Sequence, residues 1–499
     1  MISIPAFQGF SATTLIFSFL VLTVGFYVLF FSGGYKFSPR SPTLVREGYP
    51  VLGALRFFTA RWDFFQHART QSPTGNFSFF LGKHPVVGLT GTDGRRVFFD
   101  SRELGFAEGY AVLFGQSASV NSDKEFSGPG GYFSRRIAQM LKADRFNDSM
   151  PKLLADTQAA MKKLKNDPLG MTDPFESIYR LVYQLTIRMV ACDDIAEDPE
   201  LLEKSLHLYQ FIESSSTPAV VLYPWFPSSG IISRTIAGGK LYMMIKRIVD
   251  NRHKTGQRRE DPLQTLVDIG DGVPRIIEFI VGALFAGLLN SGINAAWVLC
   301  YLAKSPEWTA NVREEIQFVA AKYATDKDAP LVEQLADIPR EAWESEFPMI
   351  ELCLKDSIRL QLLGTAFRKN VSGRDLDIGN GQVIPPGAFV TYHTGDIHLD
   401  PEVYTDPHEW DPSRYLPSRA EDKKVPYGYM GWGLSRHPCL GMRFAKFEQN
   451  IITAFFLATF DYELTDKSGT PVPKTPPVDF NGHSAQKPSQ RVFLKYKQR

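Results

Sequence analysis

The chain has few cysteines and no excess of either charge. Its four cysteines, among 499 residues, are scattered without a C-x-x-C spacing, so neither a structural zinc site nor a disulfide framework is indicated. Lys and Arg together (55) nearly equal Asp and Glu (54), and no basic surplus favours nucleic-acid binding. These absences are typical of a globular protein of a reducing compartment that binds no nucleic acid.

Charged residues are also absent from the whole stretch Ser11 to Ser32. A run of this length can cross a bilayer as one helix. A cleaved secretory signal is the alternative, but the run exceeds a usual signal core, and it has neither a basic segment before it nor an A-x-A-like site. Lys36, Arg40 and Arg46 follow the run, so the positive-inside rule leaves the bulk of the chain in the cytosol. We predict a single-pass anchor in the endoplasmic reticulum membrane.

Short apolar runs such as Val86 to Leu89 and Val97 to Phe99 predict a small sheet early in the chain. Helical periodicity prevails from about Arg135 to Arg359, and a Pro/Gly-rich strand region follows from Phe367 to Gly433. The predicted fold class is mainly α with small β-sheets, preceded by one N-terminal transmembrane helix. The predicted divisions are a membrane anchor (1–34), a Pro-rich hinge (35–54) and a globular domain (55–499).

A long apolar stretch lies between Gly272 and Ser305 in the middle of the chain. It could be a second membrane span, but Glu278, Asn290 and Ser291 lie within it, and polar groups are costly in hydrocarbon. A helix that is apolar all round in a globular domain runs through its core. We therefore expect a buried central helix.

Cys439 lies at the end of the loop W-G-L-S-R-H-P-C-L-G and just before an amphipathic helix. The N-terminus of a helix carries partial positive charge and unpaired N–H groups, which favour a thiolate over a thiol. A lone cysteine is more often a small buried apolar residue. The loop alone leaves both interpretations open.

This loop resembles the cysteine-ligand signature of the cytochrome P450 superfamily, in which an aromatic residue, a glycine, a basic residue, the cysteine, a glycine and an alanine recur at fixed spacing. The matching positions are Trp432, Gly433, His437, Cys439, Gly441 and Ala445. Trp432 replaces the usual Phe, and Ser435 occupies a usual Gly position, although Ser tolerates positive φ poorly. The resemblance implies a cytochrome P450 fold and haem b, with its iron bound by the Cys439 thiolate.

The same resemblance gives a role to a charged pair. Asp356 and Arg359 are three residues apart on one predicted helix face, where such a pair is usually solvated. The family normally has Glu-x-x-Arg at this site, joined by an Arg from an aromatic-x-Pro-x-Arg-aromatic segment. Here Arg414 in W-D-P-S-R-Y supplies that third member, so the set is expected to support folding and haem retention.

Haem carries two propionates that need cations. The resemblance implies Arg368 and His437 for this role, and also Arg136, which lies four residues after Tyr132 in a pattern that usually has Trp. Arg135 is an equally plausible choice beside Arg136. Solvation at the surface is the alternative for each of them.

The central stretch departs from the family where oxygen is activated. Oxygen-activating members generally have Ala/Gly-Gly-x-acid-Thr there, and the acid and alcohol relay protons. Ala286 and Gly287 are retained and allow close approach to haem, but Leu289 stands at the acid position and Asn290 at the Thr position. Asn290 followed by Ser291 is closer to the branch that contains sterol hydroxylases and prostacyclin synthase. We take Asn290 and Ser291 as candidate catalytic residues, with an inert Asn290 as the alternative.

The resemblance also implies the substrate segments, at 114–123, 211–225, near Phe285, at 363–366 and near His483. No Lys or Arg cluster occurs in them, which favours a bulky lipophilic substrate such as a sterol, triterpenoid or other terpenoid. The leading hypothesis is a monooxygenase of secondary-metabolite biosynthesis that uses a separate NADPH reductase, because no flavin or nicotinamide fingerprint is present. The alternatives are a haem-thiolate isomerase or dehydratase and, more remotely, a non-catalytic haem- or lipid-binding membrane protein.

Overall fold

Helices form most of the protein. The structure, a computed structural model, describes residues 16–21, 23, 25, 35–49, 52–111, 131–215, 217–222, 227–362, 364–482 and 484–499. Most of the expected anchor therefore lies outside the described residues, but 16–21 are helical. Side chains there are exposed, with Phe17 69% and Phe19 70% accessible.

The longer helices bury apolar side chains in the core. In chain order the helices are Arg56–Thr59 (α1), Arg61–Thr70 (α2), Gly91–Asp100 (α3), Phe106–Ala111 (α4), Tyr132–Met140 (α5), Ala143–Lys165 (α6), Pro174–Val190 (α7), Asp193–Glu197 (α8), Pro199–Ser214 (α9), Pro218–Leu222 (α10), Ser229–Thr255 (α11), Pro262–Asp268 (α12), Val273–Ala303 (α13), Pro306–Tyr323 (α14), Leu331–Gln334 (α15), Arg340–Ser345 (α16), Pro348–Gln361 (α17), Gly395–His398 (α18) and Met442–Thr459 (α19). Short 3-10 turns lie at Leu335–Asp337, Pro412–Tyr415 and Glu421–Lys423.

The strands form four small sheets among the described residues. They are Thr43–Leu44 (β1), Phe77–Leu81 (β2), His84–Leu89 (β3), Leu104–Gly105 (β4), Met171–Thr172 (β5), Thr365–Asn370 (β6), Leu376–Gly379 (β7), Gln382–Ile384 (β8), Phe389–His393 (β9), Gly433–Leu434 (β10), His437–Pro438 (β11), Phe460–Thr465 (β12) and Phe493–Gln498 (β13). The largest sheet has the order β1-β2-β3-β9-β6-β4, and β12-β13-β5, β7-β8 and β10-β11 form the others.

The central helix α13 occupies the core, as the apolar stretch predicts. Gly272 precedes it, Pro274 lies in its first turn, and it ends just before Ser305 and Pro306. It packs against α7, α17 and α19. Within the described part of the chain, it is the one helix long and apolar enough to cross a bilayer. Because it is packed against three other helices, we interpret it as a core helix rather than a membrane span.

One early expectation is wrong. Val97 to Phe99 were expected in a strand, but they lie inside α3, where Phe98 and Phe99 are buried. Three apolar residues in a row fit a strand and a buried helical turn equally well. The preceding Thr90-Gly91-Thr92 segment allows a helix to begin here, and packing of α3 against β9 decides the outcome.

Candidate functional site

The cysteine loop is a short hairpin, β10 against β11, that presents Cys439 just before α19. The N–H of Cys439 donates to the carbonyl oxygen of Trp432 at 2.7 Å. Gly433 has φ of +73°, and a Cβ on it would lie 2.2 Å from the carbonyl oxygen of His437, so this turn requires glycine. Ser435 has φ of +52°, which means that the serine replacing the usual glycine is held in the left-handed region.

Cys439 differs from the other cysteines in its surroundings. It is exposed, whereas Cys192, Cys300 and Cys353 are buried. The backbone N–H groups of Gly441 and Met442 hydrogen-bond to its sulfur. Although Cys439 is exposed at the surface of the loop, desolvation by the surrounding protein atoms raises the pKa of its thiol, and these two N–H groups partly oppose that rise. A bound metal cation would remove the proton outright, so the sulfur is suited to be a ligand rather than a core residue.

One face of the central helix is exposed although most of the helix is buried. Phe285 is 39% accessible, and Ala286 and Asn290 are also exposed. Ala286 and Asn290 are four residues apart and lie on one helix face, so these two side chains border one open space. Beyond their own neighbours in the chain, a Cβ added to Gly287 or to Gly441 would meet no atom of the described residues within 4 Å. The structure therefore leaves room both on the central helix and beside Cys439.

Ser291 faces another direction. Its side chain lies beside the carboxyl group of Glu448, which is 1% accessible, and its carbonyl oxygen accepts a hydrogen bond from Gln449 Nε2 at 2.9 Å. Successive helix residues point about 100° apart. The structure places Asn290 on the open face but turns Ser291 toward α19, and burial raises the pKa of the Glu448 carboxyl.

Arg368 is a buried cation beside the cysteine loop. It is 3% accessible, and its guanidinium lies 4.5 Å from the ring centre of Phe106. Burial lowers the pKa of Arg368 to about 10, opposed by a hydrogen bond to Tyr110. His437 stacks on Phe106 at 5.0 Å between ring centres. No carboxylate of the described residues forms an ion pair with Arg368, so this cluster has positive charge to offer an anion.

Arg136 forms an ion pair with Asp271. Its Nε and Nη2 donate to the two oxygens of Asp271 at 3.0 and 3.1 Å. Tyr132 also donates to Asp271, at 2.8 Å, and the Arg136 guanidinium lies over the Tyr132 ring at 5.0 Å. The Tyr-x-x-x-Arg spacing therefore forms a local cluster with Asp271, which the sequence does not indicate. Arg135 is exposed.

The predicted charged set is buried. Asp356 and Arg359 are both 0% accessible, so they are not a solvated pair. Arg359 Nε donates to Asp356 at 2.7 Å. Arg414 is 1% accessible, and its Nε lies 3.8 Å from the Asp356 carboxylate, outside hydrogen-bond range. Asp356 thus binds one of the two arginines closely.

Glu421 supplies the second carboxylate, and sequence reasoning missed it. Its Oε2 accepts a hydrogen bond from Arg414 Nη1 at 3.0 Å, and it is 3% accessible. Glu421 begins a 3-10 turn seven residues after Arg414, and no motif marks it. The short side chain of Asp356, which departs from the family's Glu, is the signal that a second acid is needed.

Several of the expected substrate segments fall outside the described residues. These are 114–123, residues 216 and 223–225 of the 211–225 segment, Leu363 and His483. Phe285 and the remaining part of the 363–366 turn are described.

Comparison with known proteins gives a consistent result along nearly the whole chain. A family model described as Cytochrome P450 matches residues 47–490. Cytochrome P450 monooxygenase AacuE of Aspergillus aculeatus is 35% identical over 455 residues, which cover 89% of this chain and 90% of that protein. Cytochrome P450 monooxygenase nsrP of Aspergillus novofumigatus is 34% identical over 450 residues, with 87% and 86% covered.

A solved structure supports the same fold. Retinoic acid bound cyanobacterial CYP120A1 matches with a TM-score of 0.70 and covers 93% of this chain and 100% of that one. At 20% sequence identity, this likeness concerns the fold alone.

Proposed function

This chain belongs to the cytochrome P450 family, and on that premise we propose that it is a membrane-anchored monooxygenase that oxidises a bulky, mostly apolar small molecule with O2 and electrons from a separate NADPH-dependent reductase. The observation that carries the proposal is the exposed Cys439 just before α19. The space at Gly287 and Gly441 supports it.

The described residues fit haem. Cys439 would bind the iron, and the open positions at Gly287 and Gly441 would accept a flat apolar ring. Arg368 and His437 would hold the propionates, because Arg368 is buried without a carboxylate partner among the described residues. We leave Arg136 out of this set since Asp271 already neutralises it. Bound through the thiolate, haem supplies the O2 activation that side chains cannot perform.

Asn290 is the polar group best placed on the open face of the central helix. Its Nδ2 lies 3.4 Å from the carbonyl oxygen of Ala286, which leaves the amide oxygen as an acceptor. An amide cannot donate a proton as an acid does, but it can orient a water molecule that does so. We propose this water-holding role for Asn290 and none for Ser291, whose side chain lies beside Glu448.

A haem-thiolate isomerase or dehydratase is the second candidate. Leu289 and Asn290 favour it, because an enzyme that rearranges its substrate needs no acid-Thr pair. Oxygen uptake that depends on substrate, NADPH and reductase distinguishes the two. Turnover without reductase would favour the isomerase.

The membrane location and the pathway are part of the proposal. The exposed apolar side chains of helical residues 16–21 support an N-terminal anchor in the endoplasmic reticulum membrane, with residues 35–54 as hinge and 55–499 as cytosolic catalytic domain. The absence of a Lys or Arg cluster from the expected substrate segments supports a sterol, triterpenoid or other terpenoid as the substrate, which we place in secondary metabolism. Deleting residues 1–34 should move the protein from the membrane pellet to the soluble fraction with its haem spectrum intact.

Replacement of the proposed ligand tests the haem-thiolate assignment. Cys439→Ser should abolish the thiolate signature of the reduced, carbon monoxide-bound spectrum. Cys300→Ala, at a buried cysteine of the central helix, is the matched control and should retain it. A normal signature in Cys439→Ser would refute the assignment.

A further inference from the structure

Arg61, at the start of α2, is a second buried cation that the haem site does not use. It is 7% accessible. Its Nε donates to the carbonyl oxygen of Phe57 and its Nη1 to Thr365 Oγ1, both at 2.9 Å, and the guanidinium lies 4.3 Å from the Phe57 ring centre. No carboxylate of the described residues forms an ion pair with it, and burial lowers the pKa of Arg61 to about 9. A buried charge without a partner is costly, so this one calls for an anion.

Near Arg61, two side chains of the largest sheet have a polar atom without a hydrogen-bond partner among the described residues. His393 in β9 stands directly opposite Thr365 in β6, and opposed residues of antiparallel strands share a face. The Nδ1 of His393 accepts from the N–H of Gly395 at 3.0 Å, so the neutral ring carries its proton on Nε2. Among the described residues, neither that Nε2 nor the hydroxyl of Thr391, two residues along the strand, has a hydrogen-bond partner. Both side chains are almost fully buried, with His393 1% and Thr391 0% accessible.

The cluster lies where three of the expected substrate segments meet. Thr365 belongs to the 363–366 turn. Val221, from the 211–225 segment, packs in the same apolar cluster as Phe57. Asn481, two residues before the third segment at 483, accepts from the N–H of Asp63 at 3.1 Å in the first turn of α2. Arg61 is thus the buried cation at this junction.

We propose that Arg61, with His393, forms a subsite for the carboxylate of an amphipathic substrate whose apolar body extends toward the haem. The Nη2 of Arg61, which donates no hydrogen bond to the described residues, and the Nε2–H of His393 would both donate to the carboxylate in charge-assisted hydrogen bonds. Phe57, Phe65 and Val221 supply the apolar surroundings. This inference rests on the proposed function and makes it more specific, because an apolar substrate without an acidic group would leave the Arg61 charge unpaired.

Imidazole probes that bind the haem iron test the subsite without turnover. The probes are imidazolyl-alkanoic acids from octanoic to dodecanoic acid, each compared with the neutral alkylimidazole of equal length. At least one acid should bind the wild type about tenfold or more tightly than its neutral partner, as expected for a charge-assisted hydrogen bond of a buried group. Arg61→Gln should remove that preference and leave the alkylimidazole affinity unchanged, while Arg61→Lys should retain part of it.

Arg56→Gln is the matched control, since Arg56 lies five residues earlier, is 43% accessible and pairs with Glu47. It should bind every probe as the wild type does. Equal wild-type affinities for every acid and its neutral partner would overturn the subsite. So would an Arg61→Gln variant that weakens both kinds of probe by the same factor. Failure of any alkylimidazole to shift the haem spectrum would instead count against the haem-thiolate function itself. If Arg61→Gln loses its haem spectrum, Arg61→Lys provides the test instead. A preference for the acid that is smaller than in the wild type would support the subsite, and an unchanged preference would overturn it.

Discussion

Asp356 is completely buried and is enclosed by hydrogen-bond donors. Its carboxylate accepts from Arg359 Nε at 2.7 Å, from the Tyr415 hydroxyl at 2.8 Å and from the N–H of Asp411 at 2.6 Å. Glutamate, the usual residue of the family here, is one methylene longer. We predict that Asp356→Glu lowers the free energy of unfolding by about 1–3 kcal/mol, because the extra group is forced into a filled site. Urea unfolding measures this change.

Asp356→Asn provides the comparison. It should cost more, about 3–5 kcal/mol, because Arg359 then remains buried without a countercharge. Glu402→Asp, at an exposed position, is the control for a change of one methylene and should have little effect. A neutral or stabilising Asp356→Glu would mean that the pocket is shaped for the longer acid.

Arg368 offers a second prediction for a single residue. Arg368→Gln should lower the haem bound per protein, since a buried cation would no longer meet a propionate, whereas Arg368→Lys should retain more haem. The pyridine haemochrome assay measures the ratio. Lys369→Gln is the control, because Lys369 follows on the opposite strand face, with its ammonium over the Phe389 ring at 5.1 Å. Equal haem content in all three variants would argue against this propionate role.

The cysteine hairpin is the element whose geometry is most constrained. Gly433→Ala should reduce haem incorporation and the melting temperature, because its φ is +73° and the new methyl group would collide with the carbonyl oxygen of His437. Gly238→Ala, inside α11 where a Cβ meets nothing within 4 Å, should instead stabilise the protein by up to about 1 kcal/mol. Differential scanning fluorimetry and the Soret absorbance check both variants.

The elements that the sequence predicts well are those with local signals. The central helix begins after Gly272 and ends before Ser305 and Pro306 because glycine and proline mark helix ends. Contacts across the chain carry no such signal. Glu421 reaches Arg414 only after the Pro412–Tyr415 turn folds back, and Asp271 meets Arg136 across 135 residues. Sequence patterns therefore indicate Arg414 and Arg136 but not the carboxylates that pair with them.

At the scale of the whole molecule, the buried cations Arg368 and Arg61 lie on opposite faces of the largest sheet. Arg368 and Thr365 are three residues apart in β6, so they point to opposite faces of that strand. Arg368 faces Phe106 and the cysteine loop, whereas Thr365 holds Arg61 under α2. In our two proposals, one face of this strand therefore contacts the haem and the other face contacts the acidic end of the substrate.

Buried histidines give the whole molecule a predictable response to acid. Burial lowers the pKa of His393 and of His398 to about 3, from an ordinary value near 6.5. Because the unfolded chain takes up these protons first, stability is fully present above about pH 6.5 and is lost as the pH falls toward 3. Each histidine contributes a slope of about 1.4 kcal/mol per pH unit in that window.

His398→Gln isolates one of these two slopes. Glutamine is neutral at every pH and retains an acceptor for the N–H of Met430, which now donates to His398 Nε2 at 3.0 Å. Urea unfolding of the haem-loaded variant between about pH 7 and pH 5 should therefore lose stability less steeply than the wild type, by about 1.4 kcal/mol per pH unit at the acid end. His253→Gln, at an exposed position, should keep the wild-type slope. Carboxylates titrate alike in all three proteins, so a His398→Gln slope equal to that of the wild type would mean that His398 is protonated in the folded state.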